Sequence, residues 1–169
     1  LLESGESNGS VSLAGLFNAN YEVSSSVESD IEELAFLICR GGWPKAIGKT
    51  VKVALQQAID YYDAVVNSDI SRIDDKERNP ERAKLLMRSY SRNIGSQAKF
   101  EEMRQDILGN DIDSFSIDTL YDYLKALKKI FVIEDAPAWN PNLRSKTAIR
   151  NTDTRYFVDP SIATASMGL

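Results

Sequence analysis

The chain has 169 residues, 43% of them hydrophobic and 27% charged, with a formal net charge of −5. This composition predicts a folded protein with one good core or two small ones, and no apolar run reaches the roughly 20 residues of a membrane helix, so no membrane partner is expected. The sequence has no histidine and one cysteine, Cys39. The lack of histidine excludes Ser-His and Cys-His triads and imidazole zinc sites, and the single cysteine is typical of a cytoplasmic protein.

Residues 1–24 are polar and glycine-bearing except for a short apolar run, so they predict a linker with a short helix around Leu13–Phe17. The next helix is predicted to be capped by Ser26 or Ser29 and stopped by Gly41-Gly42. Its apolar positions recur at helical spacing and are Ile31, Leu34, Ala35 and Ile38.

A longer helix of about twenty residues is predicted from Ala46 onward because one apolar stripe continues through it. The stripe consists of Ile47, Val51, Leu55, Ala58, Tyr62 and Val65. Asp60 and Asp63 on this helix are interpreted as a solvated face, and no metal site is predicted. Residues 25–70 thus form a predicted helical bundle, and the polar, aperiodic segment 67–77 is the predicted domain boundary.

The second part, 79–169, opens on Asn79-Pro80, an N-cap followed by proline at the first helical position. Three helices are predicted, with Ser116 as the cap of the third. Their apolar positions are Ala83, Leu86, Met87, Tyr90 and Ile94, then Phe100, Met103 and Ile107, then Ile117, Leu120, Leu124 and Leu127. Strands at 130–134 and 155–158 and a helix from Asp159-Pro160 follow. This is the order of a winged helix-turn-helix, so the predicted fold class is mainly α with a small β-wing.

Charge is distributed in blocks along the chain. Residues 1–40 carry seven acids against Arg40 alone, and 106–124 carry five aspartates and no base, whereas 78–105 and 125–155 each carry seven bases against three acids. An acidic front and a basic back favour an anionic partner for the second part. Solvated helix faces are the alternative, since exposed charge is common on any protein surface.

The segment 42–50 superficially resembles a phosphate-binding loop that ends in Lys49-Thr50. Five residues instead of four separate Gly42 and Gly48, and Pro44 has no amide to donate to a phosphate. No magnesium-binding acid follows a clean strand elsewhere in the sequence. This chain alone is therefore predicted not to hydrolyse ATP.

Six stretches of the chain, in this order, carry a resemblance that covers most of its length. They read ESGESNGSVSLAGLF at 3–17, LAFLICRGGWPKAI at 34–47, YYDAVVNSDI at 61–70, NPERAKLLMRSYSRNIGSQA at 79–98, TLYDYLKALKKIFVIEDAPAWNPNLRSK at 119–146 and RYFVDPSIA at 155–163. The sequence resembles the region that follows the nucleotide-binding domain in a family of bacterial and archaeal predicted ATPases. These belong to the AAA+ and STAND-like P-loop class and carry a C-terminal domain of unknown function.

The resemblance implies that an ATPase core with its phosphate loop precedes this region and that a nuclease-like part follows it. The chain is therefore expected to be a fragment, with residues 1–24 as the link to the missing core and a winged helix that is truncated at its C-terminus. By the same resemblance, ATP and Mg²⁺ are cofactors of the parent protein, whereas no cofactor is expected for the fragment alone.

In related ATPases a Gly-x-Pro turn of the helical lid lies against the adenine, and this pattern falls on Gly42, Trp43 and Pro44. The resemblance implies that Trp43 and Pro44 meet the adenine and that Arg40 meets a phosphate. A tight turn between two helices, with Trp43 as a core residue, is the alternative.

Two basic clusters are candidate DNA contacts, one on the third helix of the second part and one on the wing. They are Lys125, Lys128 and Lys129, and Arg144, Lys146 and Arg150. Asp118 and Asp122 occupy the first turn of that helix, where base-reading residues usually sit, so sequence-specific reading is not favoured. The alternative for the wing is packing on a partner domain through Pro137, Trp139 and Pro141.

The sequence thus predicts a regulatory region with two parts. A helical lid responds to nucleotide that is held by its own ATPase core, and a winged helix passes this state to DNA or to a partner. The rival hypothesis is a pure protein-interaction module that binds no nucleic acid. No constellation of residues favours a free-standing enzyme.

Overall fold

The computed structural model describes residues 4–21, 29–109, 114–138 and 152–169, and the protein is mainly helical, as predicted. In chain order the helices are α1 (Leu13–Phe17), α2 (Ile31–Arg40), α3 (Val51–Ala64), α4 (Ile70–Arg72), α5 (Pro80–Arg92), α6 (Phe100–Leu108), α7 (Ile117–Lys129) and α8 (Pro160–Met167).

Helix α2 has the predicted spacing of apolar residues but a different cap. Asp30 is its N-cap and accepts a hydrogen bond from the Glu33 amide at 2.7 Å, so the prediction of Ser26 or Ser29 as the cap is wrong. The helix stops at Gly41, as predicted. Its apolar positions Ile31, Leu34 and Ile38 are exposed. The helix therefore presents part of its apolar face to solvent.

Helix α3 begins later than predicted. Residues Pro44–Ala46 form a 3₁₀ turn and Ile47 is extended, so the helix starts at Val51 instead of at Ala46. Gly48 separates the two elements with a φ of +69°, which belongs to no right-handed helix. Ile47 is thus outside the helix in which the apolar stripe placed it.

A π-helical turn, Val65–Asp69, joins α3 to α4, and two side chains bond back to the preceding turn. Asn67 Nδ2 donates to Asp63 O at 2.8 Å, and Ser68 Oγ donates to Ala64 O at 3.1 Å. Apolar residues within this turn and directly after it are fully buried, namely Val65, Val66 and Ile70. The segment 67–72, predicted to be an irregular boundary, is therefore helical, and Ile70 within it packs in the core.

Helices α5, α6 and α7 follow the predicted pattern. Asn79 caps α5 with Pro80 at its first position, and Ser116 caps α7 by accepting from the Thr119 amide at 3.0 Å. The predicted apolar residues that form the core are Ala83, Leu86, Met87, Tyr90, Met103, Ile107, Leu120, Leu124 and Leu127. Ile94 is an exception, since α5 ends at Arg92 and leaves it exposed.

Helix α7 ends in a Schellman motif that places Phe131 in the left-handed conformation. The Phe131 amide donates to Lys128 O at 3.1 Å, and the Val132 amide donates to Leu127 O at 3.0 Å. Phe131 has a φ of +56°, a conformation usually left to glycine, and is 77% exposed. The first residues of the predicted strand at 130–134 are thus used to end a helix.

The two predicted strands are reduced to isolated pairs. Antiparallel bridges join Ile133 with Phe157 and Ala136 with Thr154, and within the described ranges no continuous strand forms. Ala136 and Thr154 exchange both amide hydrogen bonds, at 2.8 and 2.9 Å, so the two segments do run side by side. Residues 139–151, where the tip of the predicted wing falls, lie outside the described residues. A β-wing is not confirmed.

Helix α8 joins the two predicted parts. It packs on α2, α3 and α5, and its residues Ile162 and Ala163 belong to the same core as Val65. The hydroxyls of Ser91 on α5 and Ser166 on α8 share a buried hydrogen bond inside this contact. Residues of the predicted lid and of the predicted second part therefore share one core.

Candidate functional site

The turn that follows α2 is anchored to the start of α8. The Gly42 amide donates to Asp159 Oδ2 at 2.7 Å, while Asp159 Oδ1 caps α8 by accepting from the Ser161 amide at 2.9 Å. Gly41 lies against the same carboxylate with φ +70° and ψ −170°, a region of backbone space essentially limited to glycine. A Cβ on Gly41 would lie 2.3 Å from Asp159 Oδ1. The turn therefore requires glycine at this position.

Trp43 is a second anchor of the turn. Its Nε1 donates to Ser161 Oγ at 2.8 Å, and its ring packs against that of Tyr61 with the centroids 4.6 Å apart. Burial, together with the charge of Asp69, raises the pKa of Tyr61. The indole is thus held by both α8 and α3.

Arg40, the last residue of α2, is buried and paired with an acid from the N-terminal segment. Its Nε donates to Gly41 O at 3.1 Å, and its Nη1 pairs with Glu6. Hydrogen bonds from Ser4 and from Arg40 hold the pKa of Glu6 below its usual value. The guanidinium that was expected to meet a phosphate is therefore occupied by a carboxylate.

A largely apolar cavity of about 550 Å³ opens beside this turn, within the size range of small-molecule sites. Its walls are Ser4, Leu34, Leu37, Ile38, Arg40, Gly41, Gly42, Pro44, Ile47 and Pro160. Three of the predicted nucleotide-contacting residues, Arg40, Gly42 and Pro44, thus border one cavity. Trp43 belongs instead to the contact with Tyr61 and α8. Arg40 is the charged member of the wall as far as the described residues show.

A groove of about 470 Å³ lies between the start of α6 and α7 and combines aromatic with basic side chains. It is lined by Phe100, Tyr121, Leu124, Lys125, Lys128 and Lys129. The rings of Phe100 and Tyr121 meet edge to face, with centroids 5.4 Å apart and planes at 85°. The structure therefore brings together the three lysines that were predicted to contact DNA.

Asp135 pairs with Lys128 of this groove and with Arg155, a residue that packs on the groove's Phe100 ring. Lys128 Nζ and Arg155 Nη1 lie 2.7 and 2.9 Å from its Oδ2, and the Tyr90 hydroxyl donates to its Oδ1. Burial alone raises the pKa of Asp135, but the hydrogen bonds from Lys128 and Tyr90 and the charges of Lys128 and Arg155 outweigh it and lower the pKa. Arg155 also covers the Phe100 ring, 4.1 Å from its centroid.

The other predicted DNA contacts fall on the wing. Arg144, Lys146 and Arg150 lie outside the described residues, as do Trp139 and Pro141. Pro137 is described and is exposed.

A family model described as a domain of unknown function, DUF8612, matches residues 31–169. The chain belongs to this family. No curated protein and no solved structure gives a significant match to the DUF8612 chain.

In the described part of the DUF8612 chain, no helix is long and apolar enough to reach across a bilayer. Within the same residues, the Cys, Asp and Glu side chains form no group of three or more that is arranged to hold a metal ion.

Sequence reasoning missed the acids that organise these sites in the DUF8612 chain. Asp159 was predicted as the start of a helix, but its bond to Gly42 crosses 117 positions of sequence, and no local pattern indicates it. Asp135 follows an apolar run and lies in a basic block, which is a weak signal for a buried ion pair. Glu6 lies in a polar segment that carries no signal for a contact with Arg40.

Proposed function

We propose that the chain forms the lid side of an adenine-nucleotide site in an ATPase of the AAA+ class, and that its second part acts as a winged helix-turn-helix. The observation that carries the proposal is the cavity bordered by Arg40, Gly42 and Pro44. Leu34 and Ile38 add an apolar wall of the kind on which an adenine packs, and Arg40 adds a cation at the edge that a phosphate can pair with.

The pairing of Arg40 with Glu6 gives this site a competitor for phosphate. Glu6 neutralises the guanidinium through Nη1. Because two anions at one guanidinium repel each other, a nucleotide phosphate competes with the Glu6 carboxylate and binds Arg40 more tightly once that carboxylate leaves. Binding of nucleotide at Arg40 is therefore tied to a displacement of the N-terminal segment.

Contacts through α8 supply a route from the cavity to the second part. Gly42 and Trp43 are bonded to Asp159 and Ser161 at the start of α8, and α8 packs on α5. A ligand that moves the turn moves the start of α8 with it, and hence changes the packing against α5. This is the physical element by which nucleotide state reaches the second part.

The winged helix-turn-helix is supported by element order. Helices α5, α6 and α7 are followed by the side-by-side segments around Ile133–Phe157 and Ala136–Thr154, and then by α8. Lys125, Lys128 and Lys129 on α7 supply contacts to DNA phosphates or to an anionic partner. In this proposal the ATPase core, ATP and Mg²⁺ belong to the rest of the parent protein, and no hydrolytic step is assigned to this chain.

The test uses Trp43 as a reporter. The chain has two tryptophans, so Trp139→Phe leaves Trp43 as the sole emitter, and ADP is titrated against this variant. We expect ADP to change the Trp43 emission with a Kd of about 1 mM, a weak affinity, because this chain supplies only the lid side of the nucleotide site. Pro44→Ala should weaken binding, whereas Lys45→Ala, which alters the neighbouring exposed side chain, should not.

Two results would count against the proposal. The first is unchanged Trp43 emission together with no heat of ADP binding by calorimetry. The second is a Pro44→Ala variant that loses thermal stability but keeps the ADP affinity of the parent chain, which would make the turn purely structural.

An interaction module without nucleic-acid binding is the second candidate, and the exposed face of α2 favours it. Ile31, Leu34 and Ile38 lie exposed on one side of this helix, and such a face suits packing against the ATPase core or another subunit. Duplex DNA binding that falls steeply with salt separates the two hypotheses, because phosphate contacts release counterions and protein packing does not.

A further inference from the structure

We propose that the groove between α6 and α7 binds single-stranded nucleic acid, with a base stacked on Tyr121 and neighbouring phosphates paired with Lys125 and Lys129. The inference rests on the proposed contact of α7 with nucleic acid and specifies the form of that ligand.

The aromatic floor of the groove is exposed and held in place. Tyr121 is 51% exposed, and the edge-to-face contact with the Phe100 ring fixes the orientation of the Tyr121 ring. Phe100 is in turn covered by the guanidinium of Arg155, which is itself buried and bonded to Asp135 and to Ala98 O. A ring fixed in this way offers a flat surface at little cost in side-chain entropy, which is what stacking of a base requires.

The charge around the ring is positive. Lys125 and Lys129 are exposed and make no ion pair with any described residue, while Lys128 is bonded to Asp135, whose charge Arg155 also balances. Asp122, one of the acids on α7, is already paired with Arg78 and Lys76. Lys125 and Lys129, the two groove lysines without a paired carboxylate, therefore leave a net attraction for an anion beside Tyr121.

The combination of features favours a single strand over other anions. In a duplex the base faces are stacked on each other, which leaves phosphates and the base edges in the grooves but no base face to stack on Tyr121. Asp118 in the first turn of α7 also opposes entry of that turn into a major groove. An acidic peptide matches the charge but offers no ring face to Tyr121. A strand with unstacked bases uses both the ring and the lysines.

The experiment measures binding of a labelled oligothymidine of about 12 nucleotides to the full chain by fluorescence anisotropy, beside a duplex of the same length and a polyglutamate competitor. We expect the single strand to bind more tightly than the duplex. Tyr121→Ala should weaken strand binding about tenfold, whereas Tyr121→Phe, which keeps the ring, should bind like the parent chain. Tyr21→Ala, which removes an exposed ring from the N-terminal segment, is the matched control.

The lysines are tested through salt dependence. The double variant Lys125→Ala/Lys129→Ala should reduce the slope of log affinity against log salt by about 1.4, because each phosphate contact of a single strand contributes about 0.7. Lys49→Ala/Lys52→Ala, with the same loss of charge, should leave the slope unchanged. Lys128 is kept in both variants because its loss would also expose the charge of Asp135.

Three outcomes would overturn the inference. Equal affinity for duplex and strand, with Tyr121→Ala without effect, would leave only the proposed DNA contact of α7. Displacement of the strand by polyglutamate at equal charge concentration would indicate an acidic peptide as the ligand. Absence of strand and duplex binding at about 50 mM salt would remove nucleic acid from the function altogether, while ADP binding at Trp43 would remain a separate result.

Discussion

The amide of Gly42 donates a hydrogen bond of 2.7 Å to Asp159 Oδ2, although 117 positions of sequence separate the two residues. The other oxygen of the same carboxylate accepts from the Ser161 amide and so caps α8. One side chain thus satisfies an amide in the turn after α2 and an amide at the start of α8. Its removal leaves both without their partner.

The double role of Asp159 predicts a larger effect than loss of a helix cap alone. Asp159→Ala should lower the free energy of unfolding by about 2 to 3 kcal/mol, since a cap and a tertiary hydrogen bond are lost together. Asp30→Ala removes a cap of the same residue type on α2, which bonds only to its own helix, and should cost about 1 kcal/mol. Urea unfolding of both variants measures the difference, and equal losses would argue against the tertiary bond.

Gly41 and Gly48 form a matched pair for a test of the turn. Both have a positive φ, but a Cβ on Gly41 meets Asp159 and Ser161, whereas a Cβ on Gly48 has nothing within 4 Å among the described residues. Gly41→Ala should therefore lower the free energy of unfolding by about 3 kcal/mol, from backbone strain and steric overlap. Gly48→Ala carries backbone strain alone and should cost about 1 kcal/mol. Similar costs for the two variants would mean that the approach of Asp159 is unimportant.

Phe131 offers a stabilising substitution. It holds the left-handed position of the Schellman motif after α7 and buries little of its ring. Phe131→Gly should raise the free energy of unfolding by about 0.5 to 1 kcal/mol, because glycine reaches this conformation without strain. Phe17→Gly, at an exposed helical position of α1, should give no gain. A loss of stability in Phe131→Gly would show that the ring makes contacts which outweigh the strain.

The buried carboxylate of Asp135 predicts an acid-sensitive fold. Its pKa is lowered in the folded chain from an ordinary value of 3.8, so its contribution to stability is complete above that value and is lost as the pH falls through the folded pKa. Asp135→Asn should cost about 3 kcal/mol at pH 7, because it removes the negative charge that balances Lys128 and Arg155. The same substitution should flatten the fall in stability below about pH 4.

Urea unfolding at a series of pH values tests this, with Asp60→Asn as a control that should change stability at pH 7 by no more than about 0.5 kcal/mol. Some acid sensitivity should persist in Asp135→Asn. A hydrogen bond from Arg78 lowers the pKa of Asp74 to about 2, and this pair is untouched by the substitution. If the stability of Asp135→Asn fell at low pH as steeply as that of the unsubstituted chain, the pH dependence would come from other ion pairs such as Asp74 with Arg78.

The start of a helix could be predicted where the sequence offers one clear N-cap residue. Asn79 before Pro80, and Ser116 before an apolar stripe, place the starts of α5 and α7 because each satisfies the amides of the first turn. At α2 the sequence offers Ser26, Ser29 and Asp30 in close succession, all good caps, and local chemistry does not choose among them. Competing local signals therefore limit what spacing alone predicts.

The errors arise where tertiary contacts or helix ends override propensity. The β-branched run at 130–134 indicates a strand, but Ile130 and Phe131 close α7 first, and pairing begins only at Ile133. For the candidate site, the Gly-x-Pro pattern located the turn beside the cavity. It did not indicate that Trp43 packs on α3 and α8, because the partners of the ring are distant in sequence.

Because of the π turn at Val65–Asp69, the continuous helical segment from α3 to α4 should tolerate a deletion in this turn better than a deletion in α3. This turn contains one residue more than an α-helical turn, so removal of the exposed Asn67 lets it close as α-helix and keeps Ile70 on the buried side. Removal of Gln56 from α3 rotates everything after it by about 100° relative to what precedes, and carries Val65 and Ile70 away from the core. Length differences among homologous chains within this helix are therefore expected at 65–69 and not earlier.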